Sequence, residues 1–284
     1  MSQELLSTEV RSQHISVLGL RTRLLEAGPE ERDEAVVCLH GAPGSANHWD
    51  DLLPRIGEFA RAVAIDLPGY GACERPAHLD YSPTLYSIFM GAAINQLGIR
   101  RAHLVMNDIG GFGIIWAAAN PDTFTTAVLI NTGIWVGMRR WHAVGEMFRA
   151  PVLGALAERS GRIAFRQIIG FYSGLPRDIV LRWREDYDRG QRRAVHRMFR
   201  ATPTTFGQSL IPVLRDLDRP ALVIWGQRNR FIPVEQAQRQ RESFPSAEVV
   251  ILPKTGHYAH LENPAGVAEK ILPFLRAHAT AVHP

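Results

Sequence analysis

The chain has 284 residues, 46% of them hydrophobic, and a formal net charge of +4, enough to bury a large core as one domain or one domain with an inserted lobe. No apolar run is long enough to suggest a membrane span, and the polar start from Met1 to Arg11 has no apolar signal-peptide core. Cys38 and Cys73 are the only cysteines and make neither a disulfide framework nor a metal site, so a reduced, cytoplasmic setting is expected. Nearly all basic residues are arginine: 14 arginines against 6 acidic residues lie between Ile134 and Leu214. They show no glycine-aromatic interleaving and no nucleic-acid-binding motif, so this excess reads as a solvated helical surface.

In chain order, Ala35-Val36-Val37-Cys38-Leu39 is an apolar run ending in His40-Gly41, the pattern of a buried parallel strand. Ser45 can cap a helix through Trp49, Leu52, Leu53 and Ile56. Arg61 to Asp66 is the next strand, closed by Leu67-Pro68-Gly69-Tyr70-Gly71, and a helix over Tyr86 to Leu97 leads to the strand beginning near His103. Ala127 to Asn131, Ala221 to Gly226 and Val249 to Leu252 complete the strands, and Ile271 to Ala279 supplies a closing helix. Strands separated by helices imply a parallel sheet covered on both faces. The rhythm breaks between Asn131 and Pro220. That interval is too long for a loop and reads as a helical lobe, giving a core of residues 1–132 and 215–284 and a cap of residues 133–214.

The most informative stretch is His103-Leu104-Val105-Met106-Asn107-Asp108-Ile109-Gly110-Gly111. An apolar run ends in one reactive side chain followed two places later by glycine, the layout of a nucleophile elbow. Its tip is Asp108, where most such elbows carry serine. A carboxylate makes only a labile anhydride with an ester or amide, but it can displace a leaving group from an alkyl carbon and form an ester. The alternative is that Asp108 caps the helix beginning at Ile109.

The other motifs fall in order. His40-Gly41-Ala42-Pro43-Gly44 follows the first buried strand, Gly69-Tyr70-Gly71-Ala72-Cys73 makes a glycine-rich turn, and Thr255-Gly256-His257-Tyr258 comes late. With Asp108 these resemble the α/β-hydrolase superfamily, in particular its aspartate-nucleophile branch of epoxide hydrolases and haloalkane dehalogenases. The resemblance runs from about Val36 to Leu275, and His40-Gly41-Ala42-Pro43 fits the HGxP motif of epoxide hydrolases. It implies an α/β-hydrolase fold, oxyanion donors at the N–H groups of Ala42 and Ile109, and His257 as the base that activates water. His40 then belongs to the architecture of the oxyanion loop, and His260 to local hydrogen bonding.

Two departures limit that expectation. The segment Ile224 to Pro233 resembles the family's acid loop, but Asn229 stands where an aspartate would orient the histidine; the alternative acid position, at the end of the strand before the cap, is Asn131. Asn229 is therefore the candidate third catalytic residue, without a charge. Ile109 and Ala42 also lack the side-chain donors that dehalogenases place around a halide. Epoxide hydrolases use two lid tyrosines; here Phe148 and Phe199 stand near those places, leaving Tyr172 as the better candidate, with Trp141 and His142 as further pocket donors and Tyr187 on the solvent side.

The reading is an epoxide hydrolase-like enzyme acting through an alkyl-enzyme ester, with no cofactor and no metal. Its partner is a small-molecule substrate, not nucleic acid or membrane, and a homodimer is left open. A non-hydrolytic cyclisation, elimination or rearrangement, a haloalkane dehalogenase, and a non-catalytic ligand receptor are the alternatives.

Overall fold

The computed structural model describes residues 8–159 and 165–279. Residues 1–7, on which the expected lack of an export signal largely rests, and residues 160–164 of the expected cap lie outside the described residues.

Eight strands form one sheet in the order β1-β2-β4-β3-β5-β6-β7-β8: β1 (Arg11–Val17), β2 (Leu20–Ala27), β3 (Glu34–Leu39), β4 (Arg61–Ile65), β5 (Arg101–Asn107), β6 (Phe124–Ile130), β7 (Ala221–Gly226) and β8 (Glu248–Leu252). The β1–β2 and β2–β4 pairs are antiparallel; every pairing among β3 to β8 is parallel. The antiparallel β1–β2 hairpin was not expected from the sequence, because β1 is an edge strand whose residues are mostly exposed. The apolar runs become central strands, with β3, β4 and β7 buried along their whole length.

The two faces of β3 divide the core with the strand's period of two. Val37 and Leu39 join the cluster containing Phe89 and Met90, whereas Val36 and Cys38 join the one containing Trp49 and Ile271. The helices over these faces include α1 (Leu52–Gly57), α2 (Pro83–Gln96) and α3 (Gly113–Ala119). Ser82 caps α2 by accepting from the Leu85 N–H at 3.2 Å, with Pro83 preset at the first turn.

The expected helix from Ser45 is instead a 3₁₀ turn (Ala46–Trp49) followed by α1, and the Ser45 side chain makes no cap bond. The first N–H of that turn is satisfied from elsewhere: the Asp66 carboxylate accepts the Ala46 N–H at 2.6 Å and the Ala72 N–H at 2.8 Å. One buried carboxylate thus ties the loop after β3 to the glycine-rich turn after β4.

Between β6 and β7 run α4 (Ala143–Arg149), α5 (Pro151–Arg159), α6 (Phe165–Tyr172), α7 (Arg177–Asp186), α8 (Arg189–Ala201) and α9 (Ile211–Leu217). Helix α8 buries Ala194, Val195, Met198 and Phe199, spaced for one helical face. Part of the arginine excess is structural rather than merely solvated: Arg193 donates to the Arg75 carbonyl and Arg197 to the carbonyls of Ala77 and Leu79. The chain closes through α10 (Glu235–Arg239), α11 (Ala259–Glu262) and α12 (Pro264–His278), the last capped by Asn263 and starting seven residues before the expected Ile271. Among the described residues, no helix is long and apolar enough to cross a membrane.

Candidate active site

Strand β5 delivers Asp108 to the sheet's carboxyl edge. Asp108 has φ +50°, a left-handed conformation that a non-glycine residue holds only under constraint from its surroundings. The constraint is visible: the Asp108 carbonyl accepts from Thr132 Oγ1 at 2.6 Å, and Asn107 Nδ2 donates to the Ile130 carbonyl at 2.9 Å. The loop after β3 comes so close that a Cβ on Gly41 would lie 2.6 Å from Asn107 Oδ1 and 2.8 Å from Asp108 Cβ. Only glycine permits that approach.

The two carboxylate oxygens of Asp108 have different surroundings. Oδ1 accepts from the Ala42 N–H at 2.8 Å, and Oδ2 meets His257 Nε2 at 3.2 Å. Burial alone would push the Asp108 carboxyl up; the hydrogen bond and charge of His257, then the N–H groups of Ala42 and Ile109, outweigh it and hold the group below the usual carboxylate range. Asp108 is therefore an ionised carboxylate facing a histidine, and Asn107, not Asp108, stands at the cap position of the following turn.

Neighbouring contacts fix the donors. Tyr258 Oη donates to the Ala42 carbonyl at 3.1 Å. His40 bridges Gly41 and Leu67: Nδ1 lies 2.8 Å from the Gly41 carbonyl, and Nε2 accepts from the Leu67 N–H at 3.0 Å. Glu262, not singled out in the sequence, accepts from the N–H groups of Gly256 at 2.7 Å and Tyr258 at 3.2 Å, clasping the backbone on both sides of His257.

Asn229 does not orient His257. Its Oδ1 accepts from the N–H groups of Phe231 and Ile232 at 3.0 and 3.1 Å, and its Nδ2 donates to Asn131 Oδ1 at 3.0 Å. Asn131 is equally occupied: Nδ2 donates to the carbonyls of Gly256 at 3.0 Å and His257 at 2.7 Å, and Oδ1 also accepts from the Gly226 N–H at 2.9 Å. The two amides knit the ends of β6 and β7 to the His257 backbone. His257 Nδ1 is buried and has no hydrogen-bond partner among the described residues.

Above Asp108 lies a cavity of about 310 Å³ whose wall includes Phe112, Trp135, Trp141, Phe148, Met198 and Phe199. Its titratable side chains are Asp108, His257, His142 and Tyr187; no arginine or lysine of the described residues lines it. Two expectations are corrected here. Tyr172 does not line the cavity: its ring is stacked on Phe231, with centroids 4.5 Å apart. Tyr187 is buried in the cavity wall rather than facing solvent, because its ring packs on Phe165 at 4.5 Å and Arg192 holds its carbonyl at 2.7 Å.

Trp141 and His142 both reach the cavity, although the Trp141 Nε1 is enclosed without a partner among the described residues. His260 makes no local hydrogen bond; it stacks on Trp49 at 4.5 Å with both ring nitrogens unpartnered among the described residues. Burial, then the charge of His257, lowers its pKa to about 3, so the ring is neutral.

The comparisons agree with this architecture. The model of the alpha/beta hydrolase family matches residues 36–270. A 2-hydroxy-6-oxononadienedioate/2-hydroxy-6-oxononatrienedioate hydrolase of Burkholderia vietnamiensis is 24% identical, covering 97% of this chain and 100% of its own. Among solved structures, a haloalkane dehalogenase loop variant from Bradyrhizobium elkanii superposes with a TM-score of 0.81 at 21% identity, covering 95% of this chain and 97% of its own. The Cif epoxide hydrolase from Acinetobacter nosocomialis gives 0.79 at 22% identity, covering 94% and 89%. With its family model spanning most of the length, and the strand-to-helix elbow, the loop after β3 and the late histidine converging on one cavity, the chain belongs to the alpha/beta hydrolase family.

Proposed function

We propose that the protein is an aspartate-nucleophile hydrolase. Asp108 Oδ2 attacks an electrophilic alkyl carbon, an alkyl-enzyme ester forms, and His257 activates the water that hydrolyses it. The observation that carries this reading is the division of the Asp108 carboxylate: Oδ1 sits on the Ala42 N–H at 2.8 Å while Oδ2 faces His257. After attack, Oδ1 becomes the ester carbonyl oxygen, already lying where the N–H groups of Ala42 and Ile109 can stabilise the oxyanion formed on hydrolysis. A substrate carbonyl would have to displace Asp108 from those same donors. The dianion in the name of the Burkholderia relative's substrate also finds no arginine or lysine in this cavity wall among the described residues.

An epoxide is the favoured substrate. Its ring strain drives the attack, and it needs no halide site. Single turnover in ¹⁸O-labelled water is expected to give product carrying unlabelled oxygen from Asp108, with label appearing in the enzyme. Label in the first-turnover product would show that water attacks directly and would refute the ester.

A second reading is favoured by His257 Nδ1. Because Asp108 is ionised, the proton of the 3.2 Å contact resides on His257 Nε2. Acting as base toward water requires a free Nε2 and a proton on Nδ1, which would bury an unpaired donor at about 1–3 kcal/mol. Asp108 and His257 would then serve better as a proton-transfer pair in a cyclisation, elimination or rearrangement. Product mass separates the two: hydrolysis adds water, and rearrangement leaves the mass unchanged.

A further inference from the structure

The division of the Asp108 carboxylate accounts for attack and hydrolysis but leaves the departing substrate oxygen without a donor, since Phe148 and Phe199 in the cavity wall offer none. Among the described side chains there, the Nε1–H groups of Trp135 and Trp141 are enclosed, and besides Asp108 and His257 only Tyr187 and His142 remain as donors. The Tyr187 ring is held against Phe165 at 4.5 Å, with the Arg192 guanidinium 5.9 Å from its centroid. His142 is one ring away from the base: its centroid lies 4.8 Å from Phe231, and Phe231 lies 4.7 Å from His257.

His142 also has a fixed protonation pattern. It occupies the N-cap of α4, in extended backbone, and its Nδ1 accepts the Gly145 N–H at 3.2 Å. An acceptor nitrogen carries no proton, so the neutral ring must carry its proton on Nε2. That nitrogen has no protein partner among the described residues, and the ring lines the cavity. Burial, then the charge of His257, lowers the pKa to about 4 despite the opposing field of Asp108, which keeps the ring a neutral donor at ordinary pH.

We propose that His142 Nε2–H is the hydrogen-bond donor to the substrate's leaving oxygen, so that helix capping at Nδ1 sets the tautomer that ring opening uses at Nε2. This rests on the reading of Asp108 as nucleophile. As Asp108 Oδ2 bonds to the ring carbon, that carbon's bond to the ring oxygen breaks and the electron pair goes to the oxygen. His142 donates a hydrogen bond to that oxygen and gives up no proton. The proton that completes the second hydroxyl comes from the water consumed in ester hydrolysis, so epoxide plus water balances to diol.

The test uses styrene oxide as a neutral aryl epoxide, rapid-quench intact-protein mass spectrometry, and two variants. His142→Asn retains a favoured cap acceptor for α4 and lacks the Nε2–H; His142→Phe retains an aromatic ring and lacks both nitrogens. The expected result is a fall on the order of 100-fold in the rate of Asp108 adduct formation in both variants, the size typical for loss of one such donor. Hydrolysis of the accumulated adduct stays within about twofold, because that step involves Oδ1 and His257. Equal losses in both steps would indicate misplacement of the site, and unchanged adduct formation would show that another group serves the oxygen; either overturns the proposal. Turnover of styrene oxide by the wild-type protein with no adduct at any time would refute the nucleophile itself and the role of His142 with it.

Discussion

Replacing Asn229 by aspartate restores the charge that the family's acid loop would carry, and the structure says why that alone gains little. The new carboxylate can stay in place, keeping the Phe231 and Ile232 N–H groups at 3.0 and 3.1 Å, but it then sets an anionic oxygen against Asn131 Oδ1, where Nδ2 now donates at 3.0 Å. Asn131 cannot turn its amide to compensate, because Nδ2 already serves two carbonyls and Oδ1 the Gly226 N–H. Alternatively the carboxylate can swing to His257 Nδ1 and abandon two buried N–H donors. Each orphaned or opposed buried group costs about 1–3 kcal/mol, so the first outcome removes roughly 2 kcal/mol of stability and the second, with two donors abandoned, about 2–6 kcal/mol. For a chain of this size even the smaller loss lowers Tm by about 3–4 °C.

The rate side is bounded in the same way. In the serine-protease template, aspartate to asparagine at this role costs about 10⁴ in kcat, so a full recovery would be unmistakable. We expect Asn229→Asp to speed hydrolysis of the Asp108 adduct by less than about tenfold while lowering Tm. Thermal melting and decay of the adduct by intact-protein mass spectrometry measure the two effects. Acceleration of about 100-fold or more with an unchanged Tm would refute the reasoning, since the Asn131–Asn229 network would then not be what keeps a carboxylate from Nδ1.

Tyr258→Phe removes the 3.1 Å bond to the Ala42 carbonyl, worth about 0.5–1.5 kcal/mol, and should slow adduct hydrolysis roughly threefold to tenfold; an unchanged rate would show that Ala42 is held by other contacts. Gly111→Ala places a Cβ 2.1 Å from Thr132 Oγ1, the donor to the Asp108 carbonyl, and should lower stability by about 1–3 kcal/mol in chemical denaturation, against an unchanged midpoint if the elbow can relax. Acid should destabilise the fold through histidines that are buried neutral: burial first, then the charge of His257, lowers His260 to about 3 and His142 to about 4. The unfolded chain binds those protons below about pH 6.5, so at pH 5 each contributes a loss of about 2 kcal/mol, and His260→Phe, which keeps a ring on Trp49, should shrink the drop in Tm between pH 7.5 and pH 5.

What the sequence made legible is what backbone geometry demands of particular residue types. The tip of the elbow needs a residue that tolerates φ +50° and two close-packed glycines after it, so Asp108-Ile109-Gly110-Gly111 stands out. The loop after β3 needs glycine at position 41 for the same steric reason. Edge strand β1 was illegible because an exposed strand carries polar residues on both faces. The tyrosines of the cap were exchanged in the reading: charged neighbours on α7 suggested solvent for Tyr187, but its position at the end of that helix turns the ring toward Phe165. Local spacing does not fix which way a short cap helix rotates against the core, and neither does it reveal that Ser45 yields its capping role to Asp66, distant in sequence.

The two asparagines show why the missing acid is more than one lost charge. Position 131, at φ +50°, suits asparagine better than most residues, and its amide supplies what no carboxylate can: two donations to the carbonyls of the His257 loop together with an acceptor for Gly226 and Asn229. Aspartate there would turn both donations into oxygen–oxygen contacts. Aspartate at 229 fails for the reciprocal reason, because its partner is already an acceptor. Each amide therefore requires the other, and the pair holds the His257 backbone while its Nδ1 has no carboxylate among the described residues. A chemistry that must discharge an ester quickly needs that carboxylate; one limited by ring opening, or one that only moves a proton between Asp108 and His257, does not. The neutral pair thus weighs between the two proposed reactions, and Asn229→Asp alone is expected to move it toward hydrolysis only slightly.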